Sequence, residues 1–247
     1  AYNQKKNISR KKNIWELYFK QVSKYQISEI YKSKNVYFSP SRYSFFLKDF
    51  KKKKLKKVFD KYIIVNNKIT QTVNNFVKKN FNNKYVLGIH FRGTDLKVSA
   101  GHTLPPTMYQ ITKIIDHKIK NKSVDKVFLF TEDLNYYKSL KKKYGNFICA
   151  FNFFRGNNAK DFSNSKRKNH RNRLGVENLV EAITLSKCNE IIYCETNVSL
   201  FSIFYSNFNI KKHCIDNGYK SSLYIISRFE WYIKRYLPDK FKEIFKI

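Results

Sequence analysis

The chain has 247 residues, a hydrophobic fraction of 42%, an aromatic fraction of 17% and a formal charge of +32. That apolar content excludes a disordered chain and calls for a substantial core. No uninterrupted apolar run approaches the roughly 20 residues that a membrane-spanning helix requires, so no such span is expected.

Residues 1–84 read as a mostly helical N-terminal region, free of glycine and carrying only Pro40. The first dozen residues are polar and basic, without a secretory signal. Helices are expected over 14–30, 41–57 and 68–81, the last with Ile69, Val73, Phe76 and Val77 on one face. From Tyr85 the texture changes. A buried strand over 85–91 is followed by a loop with Gly93, Gly101, Pro105 and Pro106. A helix over 107–120 carries Met108, Ile111, Ile115 and Ile119 on one stripe. A strand over 126–130 closes in Thr131-Glu132-Asp133, and then come a helix over 135–144 and a strand over 147–151. The basic, Asn-rich stretch 156–173 reads as a loop. It precedes a helix over 176–186, a strand over 190–194, the triplet Glu195-Thr196-Asn197 and a helix from about Ser199. Residues 228–247 form an aromatic, basic, amphipathic tail. Alternating strands and helices predict an α/β fold, with residues 85–247 a Rossmann-like, doubly wound parallel sheet.

The charge suggests a nucleic acid or an anionic membrane. Only nine of the fifty basic residues are arginine, however, and Asn, Ile, Phe and Tyr are abundant, which is the usage of an AT-rich coding sequence. Base-specific readers favour arginine, so no specific nucleic-acid partner is expected. Cys149, Cys188, Cys194 and Cys214 form no C-x-x-C pair and lie in apolar surroundings. They read as buried, reduced thiols, with no metal site, and this points to a cytoplasmic location. The tail either rests on the inner membrane face or packs on the sheet with its charges snorkelling.

Three strand ends carry polar clusters, and open sheets bind ligands outside the carboxyl ends of their strands. The first is His90, Arg92, Gly93, Thr94 and Asp95, where an arginine beside an accessible backbone suits a diphosphate. The second is Glu132 and Asp133. The third is Thr196, Asn197 and Ser199, at a helix N-terminus suited to anions. Each has an ordinary alternative. His90 also reads as a hydrogen-bonded core histidine, Asp133 and Thr196 or Asn197 as helix caps, and Arg92 with Asp95 as a surface ion pair.

His90-Phe91-Arg92-Gly93-Thr94-Asp95 resembles the His-x-Arg-(Arg/Gly)-(Thr/Gly)-Asp motif of the GDP-fucose-dependent fucosyltransferases. The branch is that of the nodulation and core alpha-1,6-fucosyltransferases, related to the protein O-fucosyltransferases. Residues 127–133 are similar to that family's strand ending in (Ala/Thr)-(Ser/Thr)-Asp-Asp. Residues 175–199 are similar to its last block, a helix, a strand and a Ser/Thr-rich turn. The likeness covers about residues 84–206.

The resemblance implies a GT-B-like architecture of two Rossmann-like domains, with the nucleotide sugar held mostly by the C-terminal one. The Gly-rich strand–loop that opens the family's N-terminal domain is absent from this sequence. The chain is therefore either shortened, or its helical first part replaces the acceptor domain. The resemblance further implies an inverting transfer of fucose from GDP-fucose to an oligosaccharide or lipid-linked glycan hydroxyl, without cofactor or obligatory metal. Arg92 matches the phosphate arginine and His90 a nucleotide contact. Glu132 or Asp133 would bind guanine or ribose, while Thr196, Asn197 and Ser199 complete the phosphate cradle. Gly93 stands where many relatives have a second arginine, a loss that Arg171 or Arg173 would make good. Some relatives place a glutamate beyond the aspartate, where this chain has none, so Asp95 and His102 are the candidate bases. Two alternatives stand beside this reading: a basic nucleic-acid-binding protein, and a non-catalytic relative that binds the nucleotide sugar.

Overall fold

A computed structural model describes residues 14–25, 27–34, 49–97, 99–163 and 165–236. The chain divides into two units, residues 1–71 and 72–247.

In the first unit a 3₁₀ turn, Ile14–Leu17, precedes α1 (Ile27–Lys32) and α2 (Asp49–Tyr62). The single helix expected over 14–30 is broken because Phe19 bridges Val65 in antiparallel fashion. Lys20 N donates to Ile64 O at 2.7 Å and Asn66 N to Tyr18 O at 2.9 Å. Backbone groups committed to this bridge are lost to a helix. The first part of the helix expected over 41–57 lies outside the described residues.

Helix α3 (Asn67–Phe81) spans the division between the units. Its second half belongs to the sheet's core: Phe76 stacks on Phe151 at 3.9 Å between ring centroids and meets Phe128 edge-on at 5.6 Å. The division therefore falls ahead of the change in sequence texture near residue 84.

The second unit runs β1 (Val86–His90), α4 (Met108–Lys120), β2 (Lys126–Phe130), α5 (Leu134–Tyr144), β3 (Ile148–Cys149), α6 (Ala159–Ser163), α7 (His170–Leu185), β4 (Glu190–Tyr193), α8 (Asn197–Tyr205), β5 (Lys211–Cys214) and α9 (Tyr224–Tyr236). The five strands form one parallel sheet in the order β3-β2-β1-β4-β5. From β1 the chain first builds outward through β2 and β3, then returns to the other side of β1 with β4 and β5. The strand order thus reverses between β1 and β4. Ile89 pairs with Leu129 on one side and Ile192 on the other, so the carboxyl ends of β2, β1 and β4 lie level.

Leu87, Ile89, Ile111, Ile115, Val127, Leu129, Leu140 and Ile192 are fully buried in one cluster. Each such side chain contributes about 1.5–3 kcal/mol relative to exposure. Gly88 lets α7 lie close to β1, because a Cβ there would sit 2.6 Å from Leu185 and 2.8 Å from Cys188 Sγ.

Two segments differ from expectation. The stretch 156–173, expected as a loop, contains α6 and the first turn of α7. Arg167 clamps Glu177 through two bonds of 2.6 and 2.9 Å and donates to His170 Nδ1 at 3.0 Å, which fixes the polar start of α7. Strand β5 has no apolar run, since Lys-Lys-His-Cys is largely solvent-facing; it forms as an edge strand by pairing with β4, and this leaves Cys214, expected to be buried, exposed, while Cys149, Cys188 and Cys194 are buried. The basic tail is helical from Tyr224, and its residues 237–247 lie outside the described part.

Candidate functional site

The polar ends of β1, β2 and β4 meet at the reversal of strand order, the place where open α/β sheets hold ligands. His90 ends β1 and is almost wholly buried, its ring tilted on Phe130 with centroids 4.7 Å apart. Its Nδ1 lies 3.5 Å from Thr196 Oγ1, which ties β1 to the turn after β4. Burial, with the nearby Arg92 charge, pushes the His90 pKa down to about 3, so the ring is neutral near pH 7.

Arg92 follows two residues later, its side chain 27% exposed. Nη2 donates to Asp95 Oδ1 at 2.6 Å, and Nε lies 3.5 Å from Glu132 Oε1. Burial pulls the guanidinium pKa down, but Glu132 and Asp95 outweigh it and hold it above its usual value. Glu132 Oε1 also accepts from Gly93 N at 3.0 Å, Thr94 N at 3.4 Å and Thr94 Oγ1 at 3.2 Å. One carboxylate oxygen therefore shapes the whole turn after β1. Glu132 Oε2 accepts from no protein group among the described residues, and the side chain is 20% exposed.

Gly93 is there for steric reasons. A Cβ would sit 2.5 Å from both Asp133 Oδ2 and Tyr136 Cε2. The second arginine of the resembled motif has no room on this backbone. Asp133 itself is fully buried. Its Oδ1 caps α5 by accepting from Asn135 N and Tyr136 N, and its Oδ2 pairs with Lys97 Nζ at 2.7 Å. Lys97 also lies 4.3 Å from the Tyr136 ring and 5.0 Å from that of Trp231.

At the third strand end Thr196 caps α8, accepting from Ser199 N at 3.2 Å, while Ser199 Oγ accepts from Thr196 N at 3.0 Å. Ser199 is fully buried and closes this box from within. Asn197 is exposed at the first position of the helix. Its amide and that of Val198 donate to no protein acceptor among the described residues, so the positive end of α8 stays open beside His90.

Arg171 and Arg173 are exposed near the start of α7, and no hydrogen bond or ion pair joins Arg173 to Arg92, Glu132 or Thr196. The His102 side chain is exposed, with no hydrogen bond to Arg92 or Asp95. Asp95 is 52% exposed and is held by Arg92.

Arg155 and Glu181 are absent from the residues expected at the site. Both are buried, with Arg155 Nη2 3.6 Å from Glu181 Oε1, and Arg155 Nε and Glu181 Oε1 have no hydrogen-bond partner among the described residues. Burial pushes the Glu181 pKa up to about 8, Arg155 pulls it down in part, and Glu132 and Glu177 add to the rise. A glutamate beside Val180 on the apolar side of α7 was the available signal. Among the described residues no group of three or more His, Cys, Asp or Glu is placed to hold a metal ion.

No family model and no curated protein matches the chain. Among solved structures it is similar to a fucosyltransferase, NodZ from Bradyrhizobium, at 14% identity over 62% of this chain and 46% of that one, TM-score 0.42. It is similar to a NodZ alpha-1,6-fucosyltransferase soaked with GDP-fucose at 15% identity over 60% and 44%, TM-score 0.41. It is similar to POFUT1 in its apo form at 11% identity over 65% and 49%, TM-score 0.44. The chain spans less than half the length of each of these structures.

Proposed function

We propose that residues 72–247 hold the donor in an inverting glycosyltransferase, of GT-B-like architecture, that moves fucose from GDP-fucose to a glycan hydroxyl. The observation that carries this reading is the position of Arg92. It stands just beyond β1 at the reversal of strand order, two residues after His90, which meets the cap of α8, in a motif that matches the family's phosphate arginine.

The chemistry follows from the charges. The acceptor oxygen attacks C1 of fucose, the C1–O bond to the β-phosphate breaks, and GDP leaves with the bonding electrons. Charge grows on the β-phosphate, where a cation already in place stabilises the transition state. Arg92 and the α8 amides of Asn197 and Val198 supply that positive potential. Without donor, Asp95 occupies Arg92 Nη2. A diphosphate that takes this donor frees the Asp95 carboxylate, which then accepts the hydroxyl proton. His102 is the alternative base. Glu132, with Oε2 open, accepts from a ribose hydroxyl.

The acceptor side is read from α9. No helix among the described residues is long and apolar enough to cross a membrane. Yet Leu223, Ile225, Phe229 and Ile233 are 58–73% exposed. An apolar face this open, in a chain this basic, favours contact with an anionic lipid surface and so a lipid-linked acceptor.

Calorimetric titration with GDP and GDP-fucose tests the reading. Micromolar binding that Arg92→Ala weakens supports it. The high net charge favours one second reading, a nucleic-acid binder. That protein would ignore GDP, bind unrelated DNA with a steep salt dependence and be indifferent to Arg92.

A further inference from the structure

We propose that Lys220 is a positioning residue, the latch that fixes the loop carrying Asp95 and His102 against the turn that opens α8. The inference rests on the reading of this sheet edge as the donor site.

Lys220 is buried, and its Nζ donates to Leu96 O and, at 3.3 Å, to Thr103 O. These two carbonyls bracket the loop, so one ammonium closes it. Around Lys220 the backbone forms a clasp. Thr103 bridges Tyr219 in antiparallel fashion, Leu104 N donates to Gly218 O at 2.8 Å, Lys220 N to His102 O at 2.9 Å, and Gly101 N to Ser221 O at 3.0 Å. The clasp reaches the third strand end: Thr103 Oγ1 donates to Glu195 O at 3.0 Å and Tyr219 Oη to Glu195 Oε2 at 3.1 Å. Its far side is fixed by Ser221 N donating to Glu230 Oε2 at 2.8 Å. Glu195 directly precedes Thr196, the cap of α8. The candidate base loop and the candidate phosphate cradle are thus joined through one strap.

A buried ammonium is a costly way to gain stability alone. Burial pulls the Lys220 pKa down to about 8, with Glu230, Cys194 and Asp95 offsetting part of that pull. No carboxylate pairs with Nζ among the described residues. An apolar side chain of the same length would fill the space more cheaply. What such a side chain lacks is a pair of donors aimed at Leu96 O and Thr103 O, and those donors set the loop.

The test is amide hydrogen exchange on the full chain at pH 7.5, with GDP titration alongside. In Lys220→Met, amides 99–104 and 218–221 lose protection while Val86–His90 and Lys126–Phe130 keep theirs. GDP affinity falls about 3- to 10-fold, because the competent loop is populated only part of the time. Lys220→Arg, which keeps the donors, restores both. Unchanged protection over 99–104 in Lys220→Met overturns the latch. So does loss of protection in the two reference strands as well, which assigns Lys220 to global stability. Failure of the unsubstituted protein to bind GDP counts against the donor-site reading instead, and exchange alone then decides the latch.

Discussion

His90 Nδ1 and Thr196 Oγ1 lie 3.5 Å apart across the boundary where the strand order reverses. The contact joins the end of β1 to the cap of α8. It places a neutral imidazole, the Arg92 guanidinium and an open helix N-terminus along one edge. The positive potential there comes from Arg92 and the helix rather than from His90, whose pKa lies near 3.

Gly93→Ala tests whether the turn after β1 is held by steric necessity. The new methyl meets Asp133 Oδ2 and Tyr136, both fixed, at 2.5 Å. Overpacking of this kind costs about 1–3 kcal/mol. A drop in thermal midpoint, with weaker GDP binding than in the unsubstituted chain, is the expected result.

Lys97→Met removes the partner of a fully buried carboxylate. Asp133 keeps its two backbone donors but loses the ammonium at 2.7 Å. Breaking a buried pair from one side costs about 3–5 kcal/mol. Chemical denaturation measures this, and Lys97→Met with Asp133→Asn recovers part of the loss.

Glu181 and His90 give opposite pH dependences. The folded-state pKa of Glu181 is raised to about 8, so its contribution to stability is complete below its unfolded pKa and is lost as pH rises through about 8. His90, depressed to about 3, makes stability rise with pH only up to its unfolded value near 6.5. Between about pH 6.5 and 8 Glu181 therefore acts without His90. Glu181→Gln flattens the fall in melting temperature across that window, and its advantage over the unsubstituted protein grows with pH.

Contact of α9 with lipid is measured by co-sedimentation. Vesicles with an anionic lipid are expected to retain the protein at low salt, and neutral vesicles much less. Ile225→Glu, at a residue 73% exposed, weakens that retention without lowering the melting temperature.

The sheet was legible because its strands are buried on both faces. Val86–Ile89 and Val127–Phe130 are uninterrupted apolar runs, and Ile111 and Ile115 mark the inner face of α4 by periodicity alone. Strand β5 was not legible: Lys211–Cys214 lies at the sheet edge, is largely exposed and carries no apolar pattern. The start of α7 was missed because Arg167, Glu177 and His170 fix it by side-chain bonds that span ten residues. At the site, polar residues directly after apolar runs announced His90, Arg92, Glu132 and Thr196. Asp133 was legible as a helix cap, but its full burial and that of Ser199 were not. Composition could not reveal Lys220, Arg155 or Glu181, whose roles depend on burial.

Arg92 is proposed to anchor a diphosphate at the reversal of strand order. Isothermal titration of GDP into the unsubstituted chain and into Arg92→Ala at 0.15 M salt tests it most directly. Binding to the first, weakened by about 10- to 150-fold in the second, is the predicted result, in keeping with the roughly 1.5–3 kcal/mol that a hydrogen bond to a charged group contributes. Equal affinity in the two proteins, or no GDP binding to either, removes Arg92 from this role.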